Sequence, residues 1–255
     1  MKTAPAGDCA AFEAEPLTRG GTPLPVWLAA LDRQPPPALD LTGCRGLVVV
    51  APHPDDETLG LGATIAHLVA SGVDVRVVSA SDGGAAGATP SDRTRLETIR
   101  RYELRRATSV LGVPPPVSLG LPDGRLTDHE DRIAESLAEI LRGAAPGTRC
   151  AATWRGDGHP DHEAVGRAAA EACARTDVEL LEYPVWMWHW AHPADPAVPW
   201  DRAHSVCLSG WALDRKRHAA HCFRSQLEPG AGGTAPVLPA FALQRLLAVG
   251  EVVFR

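Results

Sequence analysis

Short apolar runs alternate with segments of helical spacing from residue 47 onward, and this alternation restricts the folds open to the chain. The run at 47–51 reads Leu-Val-Val-Val-Ala. Its length and β-branched content are typical of a strand buried on both faces of a parallel sheet. Apolar residues at helical spacing follow at 58–70, and a second strand-like run occupies 73–80. Because strands and helices that alternate in this way form βαβ units, the sequence predicts an α/β fold with a mostly parallel sheet.

The alternation continues to residue 183. Further helices are predicted at 92–111, 128–142 and 161–175, and further strands at 116–119, 149–154 and 179–183. The C-terminal part is less regular and predicts strands at 204–208 and 251–254 with a helix at 213–223. No internal boundary is evident, so we predict a single Rossmann-like three-layer domain at 46–255.

Residues 1–45 differ in character and are interpreted as a lead-in segment. They are rich in Pro, Ala and Gly, and three consecutive prolines at 35–37 exclude a helix through that point. One short helix at 27–31 is predicted to pack on the domain. We expect no catalytic groups in this segment.

Composition narrows the class of partner. The 255 residues carry a formal net charge of −6, which provides no broad basic surface for a phosphate backbone, so we expect a small-molecule partner and no nucleic acid. The sequence shows no N-terminal signal-peptide pattern. It also lacks a run of about 18 consecutive apolar residues, the length that a membrane-spanning helix requires. We therefore predict a cytoplasmic protein without a membrane span, of unknown oligomeric state.

A dense polar cluster, His53-Pro54-Asp55-Asp56-Glu57, directly follows the first predicted strand. In open α/β sheets, ligands bind outside the carboxyl ends of the strands, which is where this cluster would lie. One of its carboxylates can also be interpreted as the N-cap of the following helix. A cap requires neither the histidine nor the second carboxylate, so the whole cluster favours a metal or catalytic site.

A related cluster, His159-Pro160-Asp161-His162-Glu163, follows another predicted strand and begins a helix. Either histidine alone would be interpreted as an exposed residue at a helix end. Clusters at equivalent ends of two strands in one sheet converge, however. Together the two motifs can offer two imidazoles and a carboxylate to a metal and leave one position open for water, which is the pattern of a catalytic zinc site.

In combination, the two clusters resemble the motifs of the LmbE-like, or PIG-L, family of zinc N-deacetylases, which includes enzymes that deacetylate N-acetylglucosaminyl inositol compounds. The resemblance extends from about residue 47 to residue 162, with a weaker match from Lys216 to Gln226. It implies a metal-dependent hydrolase that removes an acetyl group from an amino-sugar or glycoconjugate substrate.

The resemblance also implies a role for each motif residue. One divalent metal, zinc by default with iron(II) or cobalt as alternatives, would be bound by His53, Asp56 and His162. Asp55 would act as the general base on the attacking water, and His159 would be the second catalytic group. Asp161 would orient an imidazole. Which group protonates the departing amine is left open.

Residues near the expected site are candidates for substrate binding. The stretch Trp186-Met187-Trp188-His189-Trp190 is unusual in a chain with 5% aromatic residues. Aromatic faces can stack on sugar rings, although a buried aromatic cluster explains the stretch equally well. Further candidates lie in loops after predicted strands or at the start of a helix. The full set is Asp82, Arg93, Trp154, Arg155, Asp157, Trp186 and Trp188.

Two other interpretations remain open. One is a different metal-assisted hydrolysis, of the phosphoesterase or deaminase type, although a two-metal phosphatase would usually require more ligands than these motifs supply. The other is a carbohydrate-binding protein with a structural metal. Asp55 argues against this second interpretation, because a structural site is closed by a fourth protein ligand and has no use for an adjacent carboxylate.

Overall fold

The computed structural model of the chain describes residues 15–85, 92–230 and 233–255. The strands in these ranges are β1 (Gly46–Ala51), β2 (Asp74–Ser81), β3 (Val117–Leu121), β4 (Thr148–Thr153), β5 (Glu179–Tyr183), β6 (Ala203–Ser205) and β7 (Val252–Phe254). They form one sheet in the order β3-β2-β1-β4-β5-β7-β6. β1 to β5 pair in parallel, and β7 pairs antiparallel with β5 and β6. The predicted mostly parallel sheet is therefore confirmed.

The α-helices of the same ranges are α1 (Leu24–Arg33), α2 (Asp56–Ala70), α3 (Arg93–Leu111), α4 (Glu130–Arg142), α5 (Pro160–Thr176), α6 (Met187–Trp190), α7 (Gly210–Ala220), α8 (Arg224–Leu227) and α9 (Ala240–Ala248). Short 3-10 helices lie at Leu17–Arg19, Leu126–His129 and Trp200–Arg202. Within the described part of the chain, no helix combines the length and apolar character needed to cross a membrane.

Helices cover both faces of the sheet because its central strands are apolar on both sides. Every residue of β1 is buried, and successive side chains point to opposite faces. Val49 packs in a core with α2, α3, α7 and α9, whereas Val48 and Val50 pack in a second core with α4 and α5. The two cores are the apolar layers on either side of the sheet, so the predicted three-layer α/β architecture is confirmed.

The order of the strands places β1 and β4 side by side where the topology changes direction. The chain runs outward from β1 through β2 to β3, and then crosses to the other side of β1 to form β4. Loops that leave two such strands diverge and open a crevice beyond the carboxyl ends of the strands. The two polar motifs, at 53–57 after β1 and at 159–163 after β4, lie at this crevice, which is the predicted edge of the sheet.

The helix that begins with the first motif is broken and capped from a distant part of the chain. Within α2, Leu61 has a φ of −133° and a ψ of 18°, which are not helical. The carboxylate of Glu251 accepts the N–H groups of Ala63 at 2.8 Å and Thr64 at 2.7 Å, which begin the second half of the helix. Nζ of Lys216 in α7 lies 3.0 Å from the same carboxylate, and both side chains are buried. The residue before β7 thus acts as an internal N-cap of α2.

The described part of the lead-in, residues 15–45, packs against the domain. Its helix α1 is longer than the predicted 27–31 segment, and Trp27 is buried in the core. The indole N–H of Trp27 donates to the backbone oxygen of Trp188 at 2.9 Å, and the two rings meet edge to face with centroids 5.0 Å apart. The lead-in therefore supports the aromatic stretch. Residues 1–14 of the predicted segment lie outside the described ranges.

The C-terminal part departs most from the sequence prediction. β6 ends at residue 205, so the predicted strand at 204–208 is too long. α7 begins earlier than predicted because Ser209 caps it, and the Ser209 hydroxyl accepts the N–H of Ala212 at 3.3 Å. The prediction lacks α6, α8 and α9. α6 and α8 are single turns, which are too short to show a helical period in the sequence.

Candidate active site

β1 delivers the first motif to the sheet edge with an unusual backbone conformation at Asp55. Its φ of 134° and ψ of −29° lie in a region that non-glycine residues rarely adopt. Asp55 occupies the N-cap position of α2, but its carboxylate makes no capping hydrogen bond. Its N–H donates to Oε2 of Glu57 at 3.1 Å. The side chain of Asp55 is therefore not used as a helix cap and lines the cavity described below.

Three side chains from the two motifs converge beyond β1 and β4. Nδ1 of His53 lies 3.2 Å from Oδ2 of Asp56, and Nε2 of His162 lies 3.3 Å from the same oxygen. Nε2 of His162 is buried, and its contact with Asp56 does not have the geometry of a hydrogen bond, so this nitrogen has no hydrogen-bond partner among the described residues. A buried imidazole nitrogen in that state is unfavourable unless another group binds it. Two imidazoles and a carboxylate are a suitable donor set for a divalent transition metal, so this group can hold a metal ion.

A carboxylate lies at the second nitrogen of each of these imidazoles. Nε2 of His53 lies 3.2 Å from Oδ2 of Asp161 and 3.0 Å from Oδ1 of Asp123. Nδ1 of His162 lies 2.8 Å from Oδ2 of Asp157. Metal-bound histidines usually donate their second N–H to such a group, which fixes the orientation of the ring. The arrangement indicates that Nδ1 of His53 and Nε2 of His162 are the atoms available to a metal.

A second group of possible ligands consists of His53, Asp123 and Asp161, and it shares His53 with the first group. The carboxylates of this second group already have backbone partners. Asp161 accepts two backbone N–H groups, at 2.7 and 3.0 Å, and Asp123 accepts one at 2.7 Å. Carboxylates engaged in this way are suited to orienting an imidazole. The group of His53, Asp56 and His162 is therefore the better candidate for the metal.

Arg100 of α3 binds the loop that carries Asp55. Its guanidinium is buried, with Nη2 3.2 Å from Oδ1 of Asp55. Nη2 also donates to the backbone oxygen of Pro54 at 2.6 Å, and Nη1 donates to that of Gly83 at 3.2 Å. Burial raises the pKa of Asp55 to about 7, although the guanidinium of Arg100 acts in the opposite direction. A carboxyl group with a pKa near neutrality is well matched to proton transfer at neutral pH.

His159 occupies the N-cap position of α5. Its Nδ1 accepts the N–H of Asp161 at 3.2 Å, so the neutral ring carries its proton on Nε2. Burial and the neighbouring imidazoles of His162 and His53 lower the pKa of His159 to about 3. Its ring centroid lies 5.2 Å from that of His53 and 4.8 Å from that of His162. His159 is therefore a neutral imidazole beside the candidate metal ligands.

The candidate ligands lie in an acidic environment that favours a positive charge. Burial opposes ionisation of Asp56, but the imidazoles of His162 and His53 outweigh it and hold the pKa of Asp56 below its usual range. Burial also opposes protonation of His162, yet Asp56 and Asp157 raise its pKa to about 9. A proton or a metal cation is thus stabilised where these side chains meet. A metal that binds there displaces the proton, because histidine ligates in its neutral form.

The motifs open into a cavity of about 250 Å³. It combines candidate catalytic groups with apolar side chains, as small-molecule sites commonly do. The lining residues are His53, Asp55, Asp56, Leu59, Ala85, Arg100, Asp123, Gly124, His159, Trp186, Gln226, Val237 and Leu238. The cavity therefore brings both motifs and the aromatic stretch to one place.

Among the predicted substrate-binding residues, Trp186 lines this cavity and Asp157 does not. Asp157 is completely buried, and its carboxylate accepts the N–H groups of Val185 and Met187 at 2.9 Å and of Trp186 at 3.0 Å. The same carboxylate binds Nδ1 of His162. Asp157 therefore connects a candidate metal ligand to the aromatic segment, and the structure places it behind the site.

Two predicted aromatic residues lie in the core and not in the lining of the cavity. Trp188 is buried against Trp27, as described above. Trp154 is buried with its ring centroid 4.9 Å from that of Phe254 in β7. Within the aromatic stretch, Trp186 therefore lines the cavity and Trp188 lies in the core. Each of the two interpretations of the stretch thus applies to part of it.

The remaining predicted residues are charged, and they also lie outside the lining. The guanidinium of Arg155 donates two hydrogen bonds to Glu182, at 2.7 and 2.9 Å. Asp82 pairs with Arg101 at 2.7 Å. Arg93 is exposed in the first turn of α3. The structure does not bring these three residues together with the metal-ligand candidates.

The cavity also contains residues that the sequence analysis does not identify as site residues. These are Leu59, Ala85, Arg100, Gln226, Val237 and Leu238. Arg100 is one of several arginines in α3, and only its burial distinguishes it. Gln226 is positioned by Glu103 of α3, whose carboxylate accepts the N–H and the hydroxyl of Ser225 at 2.8 and 2.6 Å. In the sequence, the weaker resemblance to the family at 216–226 is the feature that points to this segment.

Residues 48–173 match the family model described as PIG-L, GlcNAc-PI de-N-acetylase. This range extends from β1 to α5 and contains both polar motifs. Over this range the chain is similar to the PIG-L family, whose model is described as a de-N-acetylase. The resemblance that the motifs indicate is therefore confirmed.

Curated relatives match over part of their length. The chain is 33% identical over 147 residues to the probable N-acetyl-alpha-D-glucosaminyl L-malate deacetylase 2 of Bacillus cereus, which covers 55% of this chain and 66% of the relative. It is also 33% identical over 164 residues to the 1D-myo-inositol 2-acetamido-2-deoxy-alpha-D-glucopyranoside deacetylase of a Mycobacterium species, covering 54% and 53% respectively. The chain thus spans between about half and two thirds of these relatives.

Solved structures share the fold. The N,N'-diacetylchitobiose deacetylase of Pyrococcus horikoshii matches with a TM-score of 0.58 at 24% identity, covering 74% of this chain and 75% of the other. A conserved protein of Thermus thermophilus matches with a TM-score of 0.50 at 28% identity, covering 71% and 79%. The α/β architecture described above is thus shared with a known deacetylase structure.

Proposed function

We propose that the chain is a zinc-dependent hydrolase that removes an N-acetyl group from an amino-sugar substrate. The observation that carries this proposal is the convergence of Nδ1 of His53, Oδ2 of Asp56 and Nε2 of His162. Asp55 and His159 line the cavity beside them. Both curated relatives cited above are described as deacetylases of N-acetylated glucosamine compounds, which supports the same substrate class.

The residues of the site divide the proposed reaction between them. Zinc, when bound, lowers the pKa of a water molecule and polarises the amide carbonyl. Asp55 accepts the proton of the attacking water, a role supported by its place in the cavity and its pKa of about 7. The N–H on Nε2 of His159 is a hydrogen-bond donor for the carbonyl oxygen as negative charge develops on it.

Carboxylates behind the ligands keep the imidazoles in place. Asp161 and Asp157 are buried, and each contacts one imidazole and two or more backbone N–H groups. Rings held in this way cannot rotate freely, so the ligand set is preorganised. These two residues act through His53 and His162 and do not need to contact the substrate.

The two alternative functions receive less support from the site. The second group of possible ligands shares His53 with the first and has carboxylates engaged by the backbone, which does not favour a two-metal phosphoesterase. A purely structural metal would be enclosed by four protein ligands. The favoured group offers three, two of which line the cavity.

The test is amine release from a panel of N-acetylglucosamine glycosides. The protein is assayed as purified, after removal of metal by a chelator, and after addition of zinc, iron(II) or cobalt. We expect chelation to abolish amine release and zinc to restore it. If iron(II) but not zinc restores amine release, the proposed reaction is supported and the metal is iron(II).

A protein with a full equivalent of metal that releases no amine from any glycoside would contradict the deacetylase proposal. Assay of the same samples with a phosphate monoester and with an aminated nucleobase would then test the alternative hydrolytic reactions. Binding of the glycosides without turnover would favour the carbohydrate-binding alternative.

A further inference from the structure

We infer that the substrate is an uncharged glycoside whose aglycone is apolar, and that the cavity disfavours an anionic aglycone. This inference rests on the proposed function, since it concerns the part of the substrate that does not react. It is based on the charges around the cavity and on the apolar side chains that line it.

Two of the three guanidinium nitrogens of the cation in the cavity, Arg100, are already engaged; its Nε is buried and has no hydrogen-bond partner among the described residues. Arg100 is the one lysine or arginine among the described lining residues. It is 2% exposed, and its guanidinium contacts the carboxylate of Asp55 and the backbone oxygens of Pro54 and Gly83. An anion in the cavity would have to compete with these contacts. Arg100 therefore fixes the catalytic loop and is poorly placed to bind a carboxylate or phosphate of the substrate.

Acidic groups predominate around the same cavity. Asp55, Asp56 and Asp123 line it, and Asp157 and Asp161 lie directly behind the two imidazoles. A divalent cation would offset two of these negative charges. A negatively charged group in the cavity would experience the field of the remaining carboxylates, and like-charge repulsion is unfavourable where water is partly excluded.

Arginines that neighbour lining residues in the sequence are also engaged. Arg125, which follows Gly124, pairs with Asp128 at 2.8 Å and its side chain is 68% exposed. Arg224, two residues before Gln226, pairs with Glu228 at 2.7 Å and is 71% exposed. The sequence has no lysine or arginine at 86–91 or at 231–232. The described lining therefore supplies no cation other than Arg100, and the exposed Arg93 lies outside it, beside Gly84.

Apolar side chains provide the surface for the rest of the substrate. Leu59, Trp186, Val237 and Leu238 line the cavity. Asp55 and Asp56 are 8% and 3% exposed, whereas Val237 is 37% exposed and thus lies near the mouth. Because the proposed reaction places the amide against the buried carboxylates, the group over the more exposed Val237 is not the reacting one. We assign that position to the aglycone.

The test uses two N-acetylglucosamine glycosides of nearly equal size, with a para-ethylphenyl or a para-carboxyphenyl aglycone. Amine release by the zinc-loaded protein gives kcat/KM for each. We expect the ethylphenyl glycoside to be favoured by about tenfold or more, the ratio that one interaction of about 1.4 kcal/mol produces. Equal rates, or a preference for the carboxylate, would overturn the inference.

A charge-introducing variant separates the effect of the cavity from that of the aglycone itself. Val237→Lys places a cation near the mouth and should shift the ratio toward the carboxyphenyl glycoside by about tenfold. Val117→Lys is the matched control, because Val117 is 46% exposed in β3 and is not a lining residue. The control should leave the ratio unchanged. A similar shift in both variants would show that net charge, and not the cavity, determines the preference.

The outcomes distinguish this inference from the proposed function. Absence of amine from both glycosides, in protein that carries metal, contradicts the deacetylase itself. Amine release without discrimination between the aglycones contradicts only the substrate class. If the aglycones are equivalent but the methyl glycoside of N-hexanoylglucosamine reacts faster than that of N-acetylglucosamine, the apolar surface binds the acyl chain and the aglycone assignment is wrong.

Discussion

Asp55 combines backbone strain, burial and a position beside the candidate metal ligands. Backbone conformations of this kind cost about 1–3 kcal/mol and persist where the surrounding structure imposes them. The bond from its N–H to Glu57 and the contacts of Arg100 with Pro54 and Asp55 impose this one. The result is a carboxyl group that lines the cavity and does not cap the helix, which is where a general base is required.

Asp55→Asn tests that role directly. The amide is nearly isosteric but cannot accept the proton of the attacking water, so we predict a decrease in kcat/KM of about 10²–10⁴-fold. Metal content and melting temperature should remain close to those of the wild-type protein. Activity within a factor of about two of wild type, measured at full metal loading, would exclude Asp55 as the base.

The carboxylate of Asp157 is predicted to support His162 as a metal ligand. Asp157→Asn weakens the interaction with Nδ1 of His162, and loss of such a supporting carboxylate typically reduces metal affinity about 10–100-fold. The measurement is competition for zinc with a chromogenic chelator. Asp128→Asn is the control, since Asp128 is exposed and pairs with Arg125 on the surface. Equal zinc affinity in both variants would contradict a supporting role for Asp157.

Among single residues, the sequence predicts those site residues that lie close together along the chain. The two clusters of histidine and aspartate stand out because several chemically active residues lie within five positions after a strand. Arg100 and Asp157 do not stand out in this way. Their positions depend on burial and on contacts with Asp55 and with the 185–187 backbone, which a single sequence does not encode locally.

At the scale of elements, Glu182 of β5 joins segments on both sides of the strand. Its buried carboxylate accepts hydrogen bonds from Arg155, after β4, and from Arg202, before β6. Burial alone would raise the pKa of Glu182, but the bonds from Arg155 and then Arg202 lower it below the ordinary value. The ionised carboxylate therefore stabilises the fold above the pKa of the unfolded chain, and this contribution is lost as pH falls through the lower folded-state pKa.

Glu182→Gln should reveal this dependence. At pH 7 we predict a loss of about 1–2 kcal/mol in the free energy of unfolding, because charge-assisted hydrogen bonds become neutral ones. The difference from wild type should shrink below about pH 4, where the unfolded glutamate is protonated. Urea unfolding at several pH values measures it. Glu228→Gln, which alters an exposed pair with Arg224, is the control with little expected change. If the difference in the free energy of unfolding does not depend on pH, the stabilisation does not come from the ionised carboxylate of Glu182.

Elements were predictable where burial and periodicity agree. β1 and β5 have apolar runs bounded by polar residues, and α3 and α5 have helical spacing over many turns, so their predicted ranges lie within a few residues of the observed ones. α9 is short and apolar, with buried residues that include Arg245. Such a segment gives no clear period, and its helix is stabilised by packing against distant parts of the chain.

At the scale of the whole molecule, metal binding and folding are expected to be linked. The ligand candidates come from both motifs, more than 100 residues apart, so a metal held by all of them binds the folded chain in preference to the unfolded one. Free zinc at 100 times its dissociation constant should stabilise the metal-free protein by about 2.7 kcal/mol. Thermal unfolding with and without zinc measures the increase in melting temperature.

His53→Ala and His162→Ala should lose this stabilisation. His218→Ala removes an exposed imidazole from α7 and should retain it. If zinc raises the melting temperature of all these variants equally, it binds elsewhere on the protein.

The overall architecture was predictable from the strand and helix alternation, whereas the antiparallel addition of β6 and β7 was not, because three-residue strands carry little pattern.

The internal cap on α2 has a consequence for the time course of folding during synthesis. Glu251 follows the backbone groups that it caps, Ala63 and Thr64, by 188 and 187 residues. At ribosomal rates of about 5–20 residues per second, the second half of α2 waits roughly 10–40 seconds for its cap to be synthesised. During that interval the helix that begins with Asp56 has only part of its support. The second half of α2 therefore acquires its cap only after residue 251 has been synthesised.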